Sequence, residues 1–210
     1  NFFNRLMIRC FHFFFWNSTI VKSLDMKNSI HLKNIQVIPN GVDFKKFRPI
    51  DMNNAQERIN WDKDKKHVLF AANPNRLEKN FQLAKDGFNL IEDPNLELHY
   101  LENVDNNLMP YYFNASNVII LTSLWEGSPN VIKEAMACNV PIVSTDVGDV
   151  KSLISNTDGC AIAGNKPEDI SLKIKKALEF NKKTNGRNNI EHLNDKLISN
   201  KIINIYKSLI

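Results

Sequence analysis

From His67 onward, short β-rich runs alternate with amphipathic stretches at a regular period, and few folds accommodate that alternation. The runs are residues 67–71 (HVLFA), 96–101 (LELHYL), 118–122 (VIILT), 141–145 (PIVST) and 160–163 (CAIA). Residues 81–91, 109–115, 129–138, 150–155 and 167–180 carry apolar side chains at three- and four-residue spacing, the period of a helix. Strand and helix repeated in turn build βαβ units, so the pattern predicts an α/β fold, a Rossmann-like doubly wound parallel sheet. VIILT is apolar along its whole length, which predicts a central strand covered on both faces. Ligands of such sheets sit outside the carboxyl ends of the strands. The loops at 73–79, 102–106, 123–130 and 146–149 are therefore expected to share one functional edge.

A chain of 210 residues, 43% hydrophobic and 24% charged, supplies one full domain and a remnant at roughly 150 residues per domain. Seven glycines, eight prolines and a net charge of +4 exclude a disordered, collagen-like or acidic-tail chain. Cys10, Cys138 and Cys160 are far apart and odd in number, which excludes a disulfide framework and a CxxC motif and points to a reducing compartment. The aromatic stretch from Phe2 to Trp16 reads as a helix. It carries Arg5 and Arg9 and is shorter than the about 20 apolar residues of a spanning helix, so it predicts neither a membrane span nor a signal peptide. A start at Asn1, inside an apolar pattern, reads as part of a longer chain. Runs at 19–23 (TIVKS) and 35–39 (IQVIP) precede an Asn40-Gly41 turn, residues 181–189 read as a polar linker, and 190–210 as a last amphipathic helix.

The sharpest chemical signal follows VIILT: Glu126-Gly127-Ser128-Pro129-Asn130-Val131, continuing to Glu134. Ser128 reads as an N-cap and Pro129 as the first helical residue. The free N–H groups and positive dipole end of that helix would favour phosphate, with Gly127 allowing close approach. Glu126 and Glu134 would grip two parts of one elongated ligand, because carboxylates accept hydrogen bonds from vicinal hydroxyls. Arg76 and Lys79, after the first strand of the sheet, suit a diphosphate, one as a bidentate fork and the other as a point charge. Gly148 reads as a turn glycine, and Asp146 and Asp149 as a helix cap in preference to a metal site. His12, His31, His67, His99 and His192 show no ligand spacing, and His67 and His99 read as structural residues within strands. Neither a dinucleotide fingerprint nor a P-loop is present.

Three segments together, residues 37–43 (VIPNGVD), Arg76 with Lys79, and Glu126 to Glu134 continuing through AMACNVPIVST, resemble the C-terminal half of the large retaining glycosyltransferase family 4, also called group 1, whose GT-B fold has two Rossmann-like domains. The resemblance covers residues 18–210. It implies a remnant of an N-terminal acceptor domain and interdomain segment at 1–40, a nucleotide-sugar-binding domain at 41–187, and a helix at 188–210 that crosses back to the missing domain. By the same resemblance Glu126 contacts the transferred sugar, Glu134 the ribose hydroxyls, and backbone amides at Ser128, Asn130 and Val131, beside Gly127, the sugar and phosphate. Arg76 and Lys79 hold the diphosphate, and Asn103 and Val104 lie near the base. The implied reaction is sugar transfer from a nucleotide diphosphate sugar to an acceptor hydroxyl with retention, without a metal or other cofactor. The implied partners are that donor and a glycan or lipid-linked acceptor, not nucleic acid. The implied setting is bacterial surface-polysaccharide or glycan synthesis in the cytoplasm, with the basic aromatic segment suited to peripheral contact at the inner face of a membrane. Without its acceptor half, such a chain is expected to bind donor and transfer little. Two departures stand out: the Arg76 to Lys79 interval is shorter than the family's GR…KG spacing, and GSPNVIK replaces the commoner FGLP-type sequence. A non-catalytic nucleotide-sugar scaffold and a sugar-nucleotide epimerase of the same fold are the competing readings.

Overall fold

The structure is a computed structural model and describes residues 2–14, 16–30, 32 and 34–209. The five β-rich runs form one parallel sheet from β3 (Lys66–Phe70), β4 (Leu96–Tyr100), β5 (Val118–Leu121), β6 (Ile142–Thr145) and β7 (Ala161–Ala163). Their order is β4-β3-β5-β6-β7, so β3 has β4 on one side and β5 on the other. Successive connections thus leave in opposite directions from β3, and the crevice beyond its carboxyl end is the topological switch point of the sheet. As its composition predicts, β5 is central and buried on both faces.

The period-two alternation of strand side chains builds two cores. Val68, Phe70, Val118 and Ile120 face α4 (Phe81–Asn89) and α8 (Pro167–Phe180). Leu69, Ile119, Leu121 and Ile142 face α5 (Met109–Ala115), α6 (Asn130–Ala137) and α7 (Val150–Ile154). Local chemistry agrees with these boundaries: α8 opens on Pro167 with Glu168 and Asp169 in its first turn, where a missing N–H is harmless and negative charge meets the positive dipole end. Asn60, Asn80, Asn139 and Asn181 have positive φ where helical or 3-10 segments stop, a role more often filled by glycine.

Ahead of the sheet, α1 (Phe2–Phe14), β1 (Thr19–Val21), α2 (Leu24–Ile30) and β2 (Ile35–Val37) form a small unit in which β1 and β2 pair in parallel. The aromatic helix expected from Phe2 to Trp16 is thus observed as far as Phe14, and position 15 lies outside the described residues. Among the described residues, no helix is long and apolar enough to cross a membrane. Position 31, a histidine without ligand spacing, and position 210 also lie outside them. A helix without a strong sequence signal, α3 (Met52–Arg58), packs on α5 and is capped by Asp51, whose side chain accepts from Asn54 N at 3.0 Å.

Residues 181–189 are not the free linker that their polarity suggests. Thr184 N donates to Asn139 O at 2.9 Å, and α9 (Gly186–Asn189) follows. Within α9 the Arg187 guanidinium donates to the carbonyls of Phe47 (2.7 Å), Phe44 (2.9 Å) and Ala137 (3.0 Å) and stacks over the Phe44 ring. The last helix accordingly starts later than position 190: a 3-10 turn at Glu191–Leu193 leads to α10 (Asp195–Lys207). That helix buries Ile198 and Ile205 and leaves Leu197, Ile203 and Tyr206 exposed.

Candidate functional site

The loops beyond the carboxyl ends of β3, β4, β5 and β6 do share one edge, and hydrogen bonds join them. Leu124 N donates to Glu78 O at 2.9 Å, and the Thr122 hydroxyl reaches the carbonyls of Lys79 (3.1 Å) and Asn80 (2.9 Å). Thr145 Oγ1 donates to Ser123 O at 2.9 Å, and Asn75 Nδ2 to Glu102 Oε1 at 3.3 Å. Between the β3 and β5 loops opens a cleft of about 600 Å³ at the switch point. It is lined by Ala71 and Ala72 at the end of β3, by Arg76, Lys79, Glu126, Gly127, Ser128, Asn130 and Val131, and by Lys22, Met26 and Asn40 from the N-terminal side.

Lys79 ends a 3-10 turn, Leu77–Lys79, and its ammonium lies 2.5 Å from Glu126 Oε1. The same carboxylate oxygen accepts from the Ser123 hydroxyl at 2.8 Å. Both charged side chains are nearly buried, 11% and 16% exposed, so the pair is little screened. Arg76 differs: its side chain is 58% exposed and pairs with Glu78, Nη2 to Oε1 at 2.5 Å. The two cations therefore stand at different depths, Lys79 against the glutamate and Arg76 at the rim.

Helix α6 begins one residue later than expected, with Pro129 as the flanking residue and Asn130 as the first helical one. Ser128 makes no cap hydrogen bond. Its hydroxyl lies 2.5 Å from Asp149 Oδ2 and accepts from the ammonium of Lys133. Lys133 is fully buried, and burial lowers its pKa while raising that of Asp149. Asp149 stands at the start of α7, yet its side chain bonds Ser128 instead of capping that helix, so the capping expectation for this residue does not hold. Asp146 Oδ2 lies 3.5 Å from Lys151 Nζ. Gly148 is more than a turn residue. It has φ +57°, and a Cβ there would stand 2.5 Å from the Gly127 carbonyl oxygen, so its lack of a side chain lets the β6 loop support the floor of the cleft.

Glu134 sits four residues beyond Asn130, hence one turn deeper on the same side of α6. It is half-buried, its side chain makes no hydrogen bond or ion pair among the described residues, and burial pushes its carboxyl up to about 7. Neither Glu134 nor Asn103 nor Val104 lines the cleft. Val104 packs against the hydrophobic core, and Asn103 occupies an exposed left-handed turn at φ 53°. The segment at 37–43 reaches the site through Asn40, whose Nδ2 donates to Asn130 Oδ1 at 2.8 Å. It also joins the C-terminal region, with Val42 N donating to Leu193 O and Asp195 N to Val42 O. Gly41 is crowded there: a Cβ would lie 2.7 Å from Asp195 Cα. The buried Lys133 is the part of the site that sequence reasoning missed, and only its place in the helical register, facing the sheet, marks it.

Comparison with known proteins agrees with this architecture. The family model described as "Glycosyl transferases group 1" matches residues 88–192. The UDP-Gal:alpha-D-GlcNAc-diphosphoundecaprenol alpha-1,3-galactosyltransferase of Escherichia coli is 29% identical over 151 residues, 58% of this chain and 39% of that enzyme. The D-inositol 3-phosphate glycosyltransferase of Paenarthrobacter aurescens is 27% identical over 169 residues, 66% of this chain and 41% of that protein. The chain thus spans about two fifths of the length of these curated relatives. In fold it matches the sucrose-phosphate synthase of Thermosynechococcus elongatus, with TM-score 0.79 at 19% identity, over 92% of this chain and 58% of that one. It also matches Anabaena Alr3699/HepE, solved in complex with UDP-glucose, with TM-score 0.78 at 14% identity, over 98% of this chain and 68% of that one. The five-stranded parallel sheet is that of a GT-B C-terminal domain.

Proposed function

The chain belongs to the group 1 glycosyl transferases, and on that premise we propose that it is the donor-binding half of a retaining glycosyltransferase. It takes a nucleotide diphosphate sugar and, with an N-terminal acceptor domain, passes the sugar to an acceptor hydroxyl. The observation that carries this reading is the Lys79–Glu126 pair, 2.5 Å apart in a cleft at the switch point, directly before the start of α6.

Each residue then has a task. Charge builds on the leaving diphosphate, and Lys79, Arg76 and the N–H groups at the start of α6 stabilise it, so no metal ion is required at this site. Glu126, held by Lys79 and Ser123, accepts a hydrogen bond from the transferred sugar. Backbone at Gly127, Ser128, Asn130 and Val131 receives sugar and phosphate oxygens. Glu134, one turn deeper and unpaired, accepts from the ribose hydroxyls. The loop at Asn103 and Val104, tied to the β3 loop through Glu102 and Asn75, flanks the base. The shorter Arg76 to Lys79 interval sets the cations at two depths, suited to successive phosphates.

A UDP-sugar donor and a lipid-linked acceptor are supported by the galactosyltransferase of Escherichia coli, which uses UDP-Gal and a diphosphoundecaprenol acceptor, and by Alr3699/HepE with its UDP-glucose. Surface-polysaccharide synthesis at the cytoplasmic face of a membrane is the setting that fits both. Calorimetric titration of the chain with UDP, GDP and their sugars, in a chelator, tests the reading. Binding that persists in the chelator and is lost in Glu134→Ala and Arg76→Ala is expected. Unchanged affinities in both variants would overturn the assignment of the site.

A further inference from the structure

A second cluster of reactive side chains lies between β3 and β4, away from the residues that line the cleft. His67 on β3 and Glu97 on β4 are register partners, and His99 follows two residues along on the same face as Glu97. His67 Nδ1 is 2.9 Å from His99 Nε2, and Glu97 Oε2 is 3.7 Å from the first and 3.5 Å from the second. The mean of these three distances is about 3.4 Å. A metal held tetrahedrally by nitrogen and oxygen at about 2.0–2.1 Å separates its ligands by about 1.63 times that length, about 3.3–3.4 Å. The individual separations, 2.9, 3.5 and 3.7 Å, bracket that length, so shifts of about 0.5 Å or less would bring the three atoms to three corners of such a tetrahedron.

The surroundings orient the same atoms. His67 Nε2 lies 2.8 Å from the Asp62 carbonyl oxygen, which only accepts. Nε2 thus carries the proton, and Nδ1 turns its lone pair toward the cluster, as outer-shell carbonyls do for metal-binding histidines. Glu97 uses Oε1 for Lys65 and leaves Oε2 facing the imidazoles. Trp61 stacks on His99, ring centroids 3.8 Å apart, and fixes its plane. In the free protein His99 donates its Nε2–H to His67. With a metal that proton moves to Nδ1 of the same ring, and both lone pairs meet at one point. His67 is fully buried, whereas His99 and Glu97 are half-exposed, which leaves the fourth corner to a water.

We propose that His67, Glu97 and His99 form a zinc site, with water as the fourth ligand, that ties the edge strand β4 and the Trp61 turn to β3. None of the three lines the cleft, and His67 stands four steps of strand before Ala71, about 13 Å at 3.3 Å per residue, with His99 level with Leu69. The spacing rules that find zinc motifs along a chain miss it, since the histidines are 32 residues apart and meet only through strand pairing.

Equilibrium dialysis of the untagged full chain against zinc, with metal analysis of the retained protein, tests the proposal. One zinc per chain and a higher Tm are expected, with tetrahedral visible bands when cobalt replaces zinc. His99→Asn and Glu97→Gln, both at half-exposed positions, are each expected to weaken zinc at least tenfold and leave circular dichroism unchanged. Failure of the folded wild-type chain to retain stoichiometric zinc would overturn it, as would octahedral cobalt bands or unchanged affinity in both variants. Donor binding at the cleft is expected to be the same with and without zinc.

Discussion

The ammonium of Lys79 and the carboxylate of Glu126, 47 residues apart in the chain, meet at 2.5 Å in a nearly buried pair. Each arrives on a fixed support: the Lys79 carbonyl is bonded by Thr122, and Glu126 by the Ser123 hydroxyl. Removing one partner of a buried pair leaves the other uncompensated, which costs about 3–5 kcal/mol for a fully buried pair and less here, where water still reaches both groups. Lys79→Met is expected to lower stability by about 2 kcal/mol in urea unfolding. It should also weaken nucleoside diphosphate at least tenfold, about 1.4 kcal/mol, while nucleoside affinity stays level. Equal losses for the two ligands would mean that Lys79 does not meet the phosphates.

Glu134 supplies a pH signature. Its carboxyl stands at about 7 in the folded protein against 4.5 ordinarily, because burial disfavours the charge. A raised folded value means that the native state holds the proton more tightly than the unfolded chain. The resulting stability is complete below about pH 4.5 and is lost as pH rises through about 7. Glu134→Gln should remove up to about 3 kcal/mol of that dependence between pH 4.5 and 8 in urea titrations. Donor binding should run the opposite way: the ionised carboxylate is the better acceptor for hydroxyls, so wild-type affinity rises through pH 7 and the glutamine variant's does not. A flat wild-type profile in both assays would remove Glu134 from the site.

The sheet was legible because each strand is short, β-rich and followed by a helix with its own period, as β5 and α6 show. The loops of the site were legible for the same reason, since strand ends place Lys79 and Glu126 on one edge. Side-chain partners across the fold were not. Lys133 carries no sequence signal of burial, yet it is fully buried and donates to Ser128. Ser128 reads as a cap until Asp149 engages its hydroxyl. Residues 181–189 read as a linker because their polarity suggests solvation, whereas Arg187 spends its charge on three carbonyls of two distant segments.

Arg187 therefore carries a prediction of its own. Three carbonyls accept from one planar guanidinium, a geometry that an ammonium cannot reproduce. Arg187→Ala should destabilise the chain by about 3 kcal/mol in urea unfolding, and Arg187→Lys should recover less than half of that. A lysine variant as stable as the wild type would show that charge alone suffices there.

Gly148→Ala tests the support beneath the cleft. The residue has φ +57°, and its added methyl would press on the carbonyl oxygen of Gly127. Adopting the left-handed region costs an alanine about 1 kcal/mol before any contact is counted. The Gly127 loop must also shift, so donor affinity should fall along with Tm. An unchanged affinity with a lower Tm would separate the loop from the ligand.

The asparagines at the ends of helical segments have a consequence for the chain before it folds. Asn60, Asn80, Asn139 and Asn181 hold positive φ in a protein with only 7 glycines. A glycine at each stop would roam more of backbone space in the unfolded ensemble and surrender more of it on folding. Asparagine narrows that ensemble, and at Asn139 its side chain adds a bond that glycine has no atom to make, accepting the Arg187 backbone N–H at 2.8 Å.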